Sequence, residues 1–322
     1  MKTLLPLLIA AACATTTTTG FAQDSFPSRP VKLIIPYPAG GGGDILGRAM
    51  AQAFSKSTGQ AMVVENRAGA NGMIGAAACK NAPPDGYTYC LPVSDVMAIN
   101  PHVYKTVPYD PARDFVVVAP VATVILAFVA NSSVPASNLK ELAAWSQSNK
   151  DKANFATWGI GSAAHLSLTA FNKTMNGSLT NVPYPGVPQM LQATLSNDAS
   201  ATLLFYGPIA QYIDAGRLKP LAILGDKRYR AMPNVPTVSE QGFNFTPTVY
   251  YGVYAPTGTP APILARMSQL IGSAAADPEV RKIMDAAGFA PLEESNQAFA
   301  ERVARDRATW GPIAKSLNLA LE

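Results

Sequence analysis

The tightest constraint on this chain is a strand, loop and helix unit that recurs along it. Residues 31–36 form a short β-branched run, and after a glycine-rich loop residues 44–57 place Ile45, Leu46, Ala49, Met50, Ala53 and Phe54 at helical spacing. The unit repeats with a strand at 62–66, a loop at 67–72, a helix at 73–81 and a strand at 87–92. Beyond a proline-rich stretch at 101–111, strands are expected at 115–119 and 124–130, then a helix at 138–148 with Ser137 as its cap. A second series alternates strands at 154–157, 179–184, 201–206 and 218–224 with helices at 164–175, 187–196 and 209–214. The last third reads as a strand at 249–254 and helices at 261–275, 278–287 and 296–317. Such alternation predicts α/β architecture, with parallel sheets flanked by helices on both faces, and two series predict two lobes. One lobe is expected to combine residues 23–124 with 226–322, and the other to take 125–225. Hinges then belong where the chain crosses, at 121–129 and 221–225.

Only 14% of the 322 residues are charged, against 48% hydrophobic. That excludes disorder and leaves either a membrane protein or a chain whose polar contacts run through backbone and neutral side chains. The membrane option is confined to the first residues. Lys2 precedes the apolar run 4–14, and Gly20 and Ala22 stand where a signal peptidase reads small residues, so residues 1–22 are expected to be a cleaved leader. Cys13 lacks a lipobox, because Ala10 stands where a larger aliphatic residue is preferred. The exported chain is then periplasmic, with Gln23 first. The excess of basic residues is small, and no Lys/Arg run exceeds two residues, so no nucleic-acid partner is expected.

Export leaves two cysteines, Cys79 and Cys90, on either side of a Pro-Pro-Asp-Gly turn. In an oxidising compartment they could pair, or remain two buried thiols; sequence leaves both readings open.

In open α/β sheets ligands bind beyond the carboxyl ends of strands. The first such loop holds Ala39, Gly40, Gly41, Gly42, Gly43 and Asp44. Four glycines permit close backbone approach, and the helix that follows offers unpaired N–H groups and a positive dipole end, which suits a carboxylate. Asp44 reads as the helix N-cap. The loop lacks both the Gly-Lys-Ser/Thr ending of a P-loop and the Gly-x-Gly-x-x-Gly spacing, so no nucleotide cofactor is expected. Two further loops repeat the logic: Thr157, Trp158, Gly161 and Ser162 ahead of a helix carrying His165, and Tyr184, Pro185 and Gly186 ahead of the next. Neither has a lysine or arginine beside it. Two histidines, no His-x-x-x-His or Cys-x-x-Cys and no Gly-x-Ser-x-Gly exclude the recognisable metal and catalytic constellations. Asp95 and Asp110 read as capping or turn residues, and Ser94 as the better candidate for a ligand contact.

The stretches PYPAGGGGDILGR, VVENRAGANGMIGA, INPHVYKTVPYDPARDF, GSAAHL, VPYPGVPQML, MPNVPTVSEQG and YGVYAPTGTPAPILARM occur in order over essentially the whole exported chain. Together they resemble the Bug family, the extracytoplasmic solute-binding proteins of tripartite tricarboxylate transporters. The resemblance implies a monomeric, type II-like Venus-flytrap fold that closes on a carboxylated small molecule and hands it to membrane permease subunits. It also implies that one carboxylate is held through two ordered waters and the Ala39 to Asp44 backbone, with the Thr157 to Ser162 loop contributing from the other lobe.

This chain departs from the family pattern at Trp158, where small or polar residues are common, and at Phe205-Tyr206, where many relatives carry an acidic residue. Loss of that acid argues against an amino-acid ligand. Aromatic residues at Trp158, Phe205, Tyr206 and Tyr250 suit a planar apolar body, so an aromatic carboxylate such as terephthalate is favoured over citrate. The alternatives are an aliphatic di- or tricarboxylate carrier, a sensor subunit with the same cleft, and an α/β enzyme acting on a carboxylated substrate.

Overall fold

The computed structural model describes residues 26–225, 227–245 and 247–316. The leader expected at 1–22 lies outside these residues. The strands are β1 (Val31–Ile35), β2 (Met62–Asn66), β3 (Thr88–Cys90), β4 (Phe115–Val124), β5 (Leu126–Asn131), β6 (Asn154–Thr157), β7 (Thr180–Pro183), β8 (Ala201–Phe205), β9 (Leu218–Leu224), β10 (Val249–Pro256) and β11 (Phe289–Pro291). The helices are α1 (Gly42–Thr58), α2 (Met73–Lys80), α3 (Asn100–Val103), α4 (Leu139–Ser148), α5 (Ala163–Thr174), α6 (Val187–Ser196), α7 (Tyr206–Asp214), α8 (Ala261–Ala276), α9 (Pro278–Ala287) and α10 (Asn296–Ser316).

They form two α/β layers. A six-stranded sheet runs β11-β4-β10-β3-β1-β2, and a five-stranded sheet runs β7-β6-β8-β5-β9. The chain leaves the first sheet at the end of β4 and enters the second at β5, one residue later. It returns through β10. Both sheets are therefore mixed, where alternation alone predicted parallel ones: β1 pairs in parallel with β2 and β3, but β10 is antiparallel to both β3 and β4. In the second sheet β5 is antiparallel to β8 and β9 while β6 is parallel to β7 and β8. The antiparallel strands are those that carry the chain between sheets, and a crossing strand needs no helical crossover to reverse direction.

Pro120 does not end its strand. It lies inside the ten-residue β4 opposite Gly252, at a register shift that absorbs the missing N–H donor. Residues 95–103, to which the sequence reading assigned no regular element, form a π-turn at Asp95–Ile99 followed by α3. Residues beyond 226 also keep contact with the second sheet. Val238 and Phe243 still pack with the second sheet, whose core stacks the Phe128 ring against Phe155, Phe171 and Phe243 at 5.9–6.0 Å.

Cys79 and Cys90 are joined in a disulfide with Cα atoms 6.0 Å apart, tying α2 to β3 beneath the first sheet. Both are fully buried. Closing a loop of this length restricts the unfolded chain, so replacing both cysteines by alanine is expected to cost roughly 2–3 kcal/mol. Urea midpoints of the two proteins check this, and coincident midpoints would leave the bond without a stabilising role.

Candidate ligand-binding site

The carboxyl ends of β1, β6 and the loop after β7 meet at a small, partly open chamber of about 50 Å³ between the sheets. Its polar end is made of backbone. Gly41 is the N-cap of α1 and Gly42 the first residue of its first turn; Gly186 is the N-cap of α6 and Val187 its first residue. All four line the chamber, so two helix N-termini, with their unpaired N–H groups and positive dipole ends, converge on one small space. Any larger residue would be crowded here. A Cβ on Gly42 would stand 3.0 Å from both the Tyr251 hydroxyl and the Phe289 ring, and one on Gly186 would stand 3.0 Å from Pro38. The walls are Val93, Val124, Leu126, Val249, Phe205 and Tyr251. Among the described residues no charged side chain lines the chamber.

Asp44 is not the cap of α1. It sits in the first turn, and its carboxylate accepts from the Gly40 N–H at 3.0 Å and from Arg48 Nε at 2.9 Å, holding the loop from behind. Burial works to raise its pKa, but the bonds from Arg48 and Gly40 outweigh it and hold the carboxyl below the usual carboxylate range. Its charge is thus spent inside the loop.

Tyr37 and Trp158 line both this chamber and a wider outer cleft of about 500 Å³, so the two rings form the partition between them. Asn71, Tyr104, Gly159, Tyr184 and Pro185 line the outer cleft. Asn71 and Ala70 hold left-handed backbone, φ 48° and 47°, uncommon for residues other than glycine. The side chain that pays for this conformation is anchored: Asn71 Nδ2 donates to Asn100 Oδ1 at 2.8 Å, and Asn100 donates back to the Asn71 carbonyl at 3.0 Å.

The hydroxyls and amides of the Thr157 to Ser162 loop are mostly engaged within the protein. Thr157 Oγ1 donates to Asn181 at 2.8 Å, Ser162 Oγ donates to the Gly159 carbonyl at 2.7 Å and caps α5, and the Gly161 N–H donates to His165 Nδ1 at 3.0 Å. Burial lowers the His165 pKa, so the imidazole is neutral at pH 7 and adds no cation to the site. The indole Nε1 of Trp158 and the N–H of Ala163 both donate to Asp95, at 2.8 and 2.9 Å.

The structure therefore gathers Gly41, Gly42, Trp158, Gly186 and Phe205 in the chamber and Trp158, Tyr184 and Pro185 in the outer cleft. Gly40, Gly43, Asp44, Thr157, Gly161, Ser162 and His165 form the scaffold behind them. Ala39 is exposed at the loop tip. Three candidates fall elsewhere. Tyr250 is fully buried on the far face of β10 with its ring 5.3 Å from Phe299; successive strand residues point to opposite faces, so Tyr251 is the one that reaches the chamber. Tyr206 stacks edge-on against Tyr229, and Ser94 is buried with its hydroxyl 3.4 Å from the Thr248 carbonyl. Tyr37, Asn71 and Tyr104 were not named from sequence, and nothing local marks them; Asp95 was read only as a capping or turn residue, and of the adjacent Tyr250 and Tyr251 alternation along β10 could have chosen Tyr251. Among the described residues no group of three or more His, Cys, Asp or Glu is placed to hold a metal, and no helix is long and apolar enough to cross a membrane.

Residues 46–319 match the family described as tripartite tricarboxylate transporter family receptor. The chain is 29% identical over 303 residues to the protein BugT of Bordetella pertussis, covering 94% of this chain and 93% of that one. Two solved structures superpose with TM-scores of 0.87: the periplasmic binding protein BugD, 30% identical, and R. palustris Rpa4515 with adipate, 29% identical. Each alignment covers 92% of this chain, with 100% and 99% of the other chain respectively.

Proposed function

The chain belongs to the tripartite tricarboxylate transporter receptor family, a family of periplasmic solute-binding receptors and not of enzymes, and from that premise we propose that its cleft captures a carboxylate with an apolar body. The observation that carries the reading is the meeting of the α1 and α6 N-termini on a chamber with no charged side chain in its lining. Backbone donors and helix dipoles hold an anion without a salt bridge, directly or through ordered water. The chamber's 50 Å³ is room for a carboxylate group and far below the ~150 Å³ that holds a benzene ring. The body of the ligand then lies past Tyr37 and Trp158 in the outer cleft, where aromatic faces favour a planar ring. Terephthalate and related aromatic carboxylates are the finer proposal.

The adipate in the R. palustris structure supports an aliphatic dicarboxylate as the second reading. Titration calorimetry with terephthalate, the phthalate isomers, benzoate, nicotinate, adipate and citrate separates the two. Heat from terephthalate or benzoate but not from adipate is expected. Binding of aliphatic acids alone would remove the aromatic reading, and silence from all of them would remove the carboxylate.

The same proposal takes residues 1–22 as an export leader, the segments around Ile125 and between β9 and β10 as the hinges of a closing monomer, and permease subunits as the recipients of the ligand. Closure is then driven by the ligand's differential affinity for the closed form.

A further inference from the structure

Two hydrogen bonds that cross between the lobes end on a single carboxylate. Asp95 sits in the π-turn beside the first sheet and is fully buried; its Oδ2 accepts from Trp158 Nε1 at 2.8 Å and from the Ala163 N–H at 2.9 Å. Trp158 follows the last residue of β6, and Ala163 is the first residue of α5, both on the second sheet's side. Sequence logic reserved the α5 N-terminus for the ligand. In the structure the protein's own carboxylate stands there. Two further contacts cross at the same place: the Tyr104 hydroxyl donates to the Ile160 carbonyl, and Asn71 lies so close to Gly159 that an added Cβ would stand 3.3 Å from its amide oxygen.

We propose that Asp95 is the interlobe tether of this receptor: a built-in anion that occupies the α5 N-terminus, holds the lobes together and fixes Trp158 across the mouth of the chamber. It follows that the ligand's carboxylate is directed to α1 and α6, the two helix ends that line the chamber; the acid in the first turn of α1, Asp44, is turned onto Gly40 and Arg48. Hydrogen bonds to an ionised acceptor are stronger than neutral ones, and removing the acceptor strands two buried donors at once. Asp95 is therefore a positioning residue for the site and makes no ligand contact of its own. This goes beyond the carboxylate reading and is tested without any ligand, so either can fail while the other stands.

The test is small-angle scattering and tryptophan emission of the ligand-free protein, for wild type, Asp95→Ala, Asp95→Asn and Trp158→Phe. The wild type is expected near the ~19 Å radius of gyration of a compact chain of this length. Asp95→Ala should be larger, with Trp158→Phe, which keeps only the Ala163 bond, between them, and Asp95→Asn, whose amide oxygen can accept both bonds in place of Oδ2, near the wild type. The emission of Trp158, taken as wild type minus Trp158→Phe, should shift to the red in Asp95→Ala as the indole exchanges a carboxylate for water. Wild-type radius and emission in Asp95→Ala would overturn the proposal. If that variant does not fold, a wild-type radius in Trp158→Phe, which loses the indole bond, overturns it equally.

Discussion

Gly41→Val is expected to abolish ligand-induced thermal stabilisation while the protein remains folded. Gly41 adopts φ −79°, ψ 170°, extended backbone that any L-residue accepts, so valine introduces no backbone strain. A Cβ there meets only the Pro38 carbonyl, at 3.3 Å, and the loss of a glycine N-cap for a β-branched residue costs about 1 kcal/mol. Gly41 lines the chamber of about 50 Å³, and two added methyl groups there would compete with an anion for that small space. At a ligand concentration one hundred times Kd, wild type gains about 2.7 kcal/mol, and the variant should gain none. Gly272→Ala is the control, because an added Cβ there meets nothing within 4 Å and it lies in α8, away from the chamber lining. Its ligand-dependent melting shift should equal that of wild type. A stabilisation in Gly41→Val as large as in wild type would take the glycine loop out of the site.

What could be read in advance follows from the range over which each signal acts. Local spacing carried β2 and α9 to their observed ends, and the run of glycines marked a loop that lines the chamber. Tertiary choices were out of reach. Pro120 inside β4 depends on a bulge opposite Gly252, a partner 132 residues away in sequence, and the same pairing makes the sheet mixed. The aromatic candidates divided for a similar reason. Trp158 and Phe205 line the chamber, while Tyr250 is turned by strand alternation towards Phe299 and Tyr206 by the start of α7 towards Tyr229. Asp95 is the instructive miss. As an isolated acidic residue it resembles a cap, and its meaning comes only from α5, whose first N–H arrives from the other lobe.

That acid should also leave a mark on stability. Between pH 4 and pH 7, Asp95 alone is expected to withdraw about 3 kcal/mol from the folded protein. Burial pushes its pKa up to about 6 from an ordinary value of 3.8, and the donors Ala163 and Trp158 offset only part of that cost. About two units correspond to about 3 kcal/mol at 1.36 kcal/mol per unit. The sign follows from proton uptake: between these two values the folded protein binds a proton that the unfolded chain has released. The contribution is therefore fully present below pH 3.8 and lost as pH rises through about 6. The ionisable groups that interact with Asp95 are the hydroxyls of Tyr37, Tyr104, Tyr109 and Tyr251, all raised above their ordinary value, Tyr104 to about 12, so none titrates in this window. Asp44 and Asp114 are held low and act in the opposite sense, which makes the total curve a mixture. Subtracting the urea-derived stability curve of Asp95→Asn from that of wild type isolates the term. A difference that falls with pH across this interval is expected, and a flat one would deny that Asp95 is buried as a titrating acid. The second oxygen of Asp95 is buried without a hydrogen-bond partner, which adds to the cost of ionising the acid inside the fold.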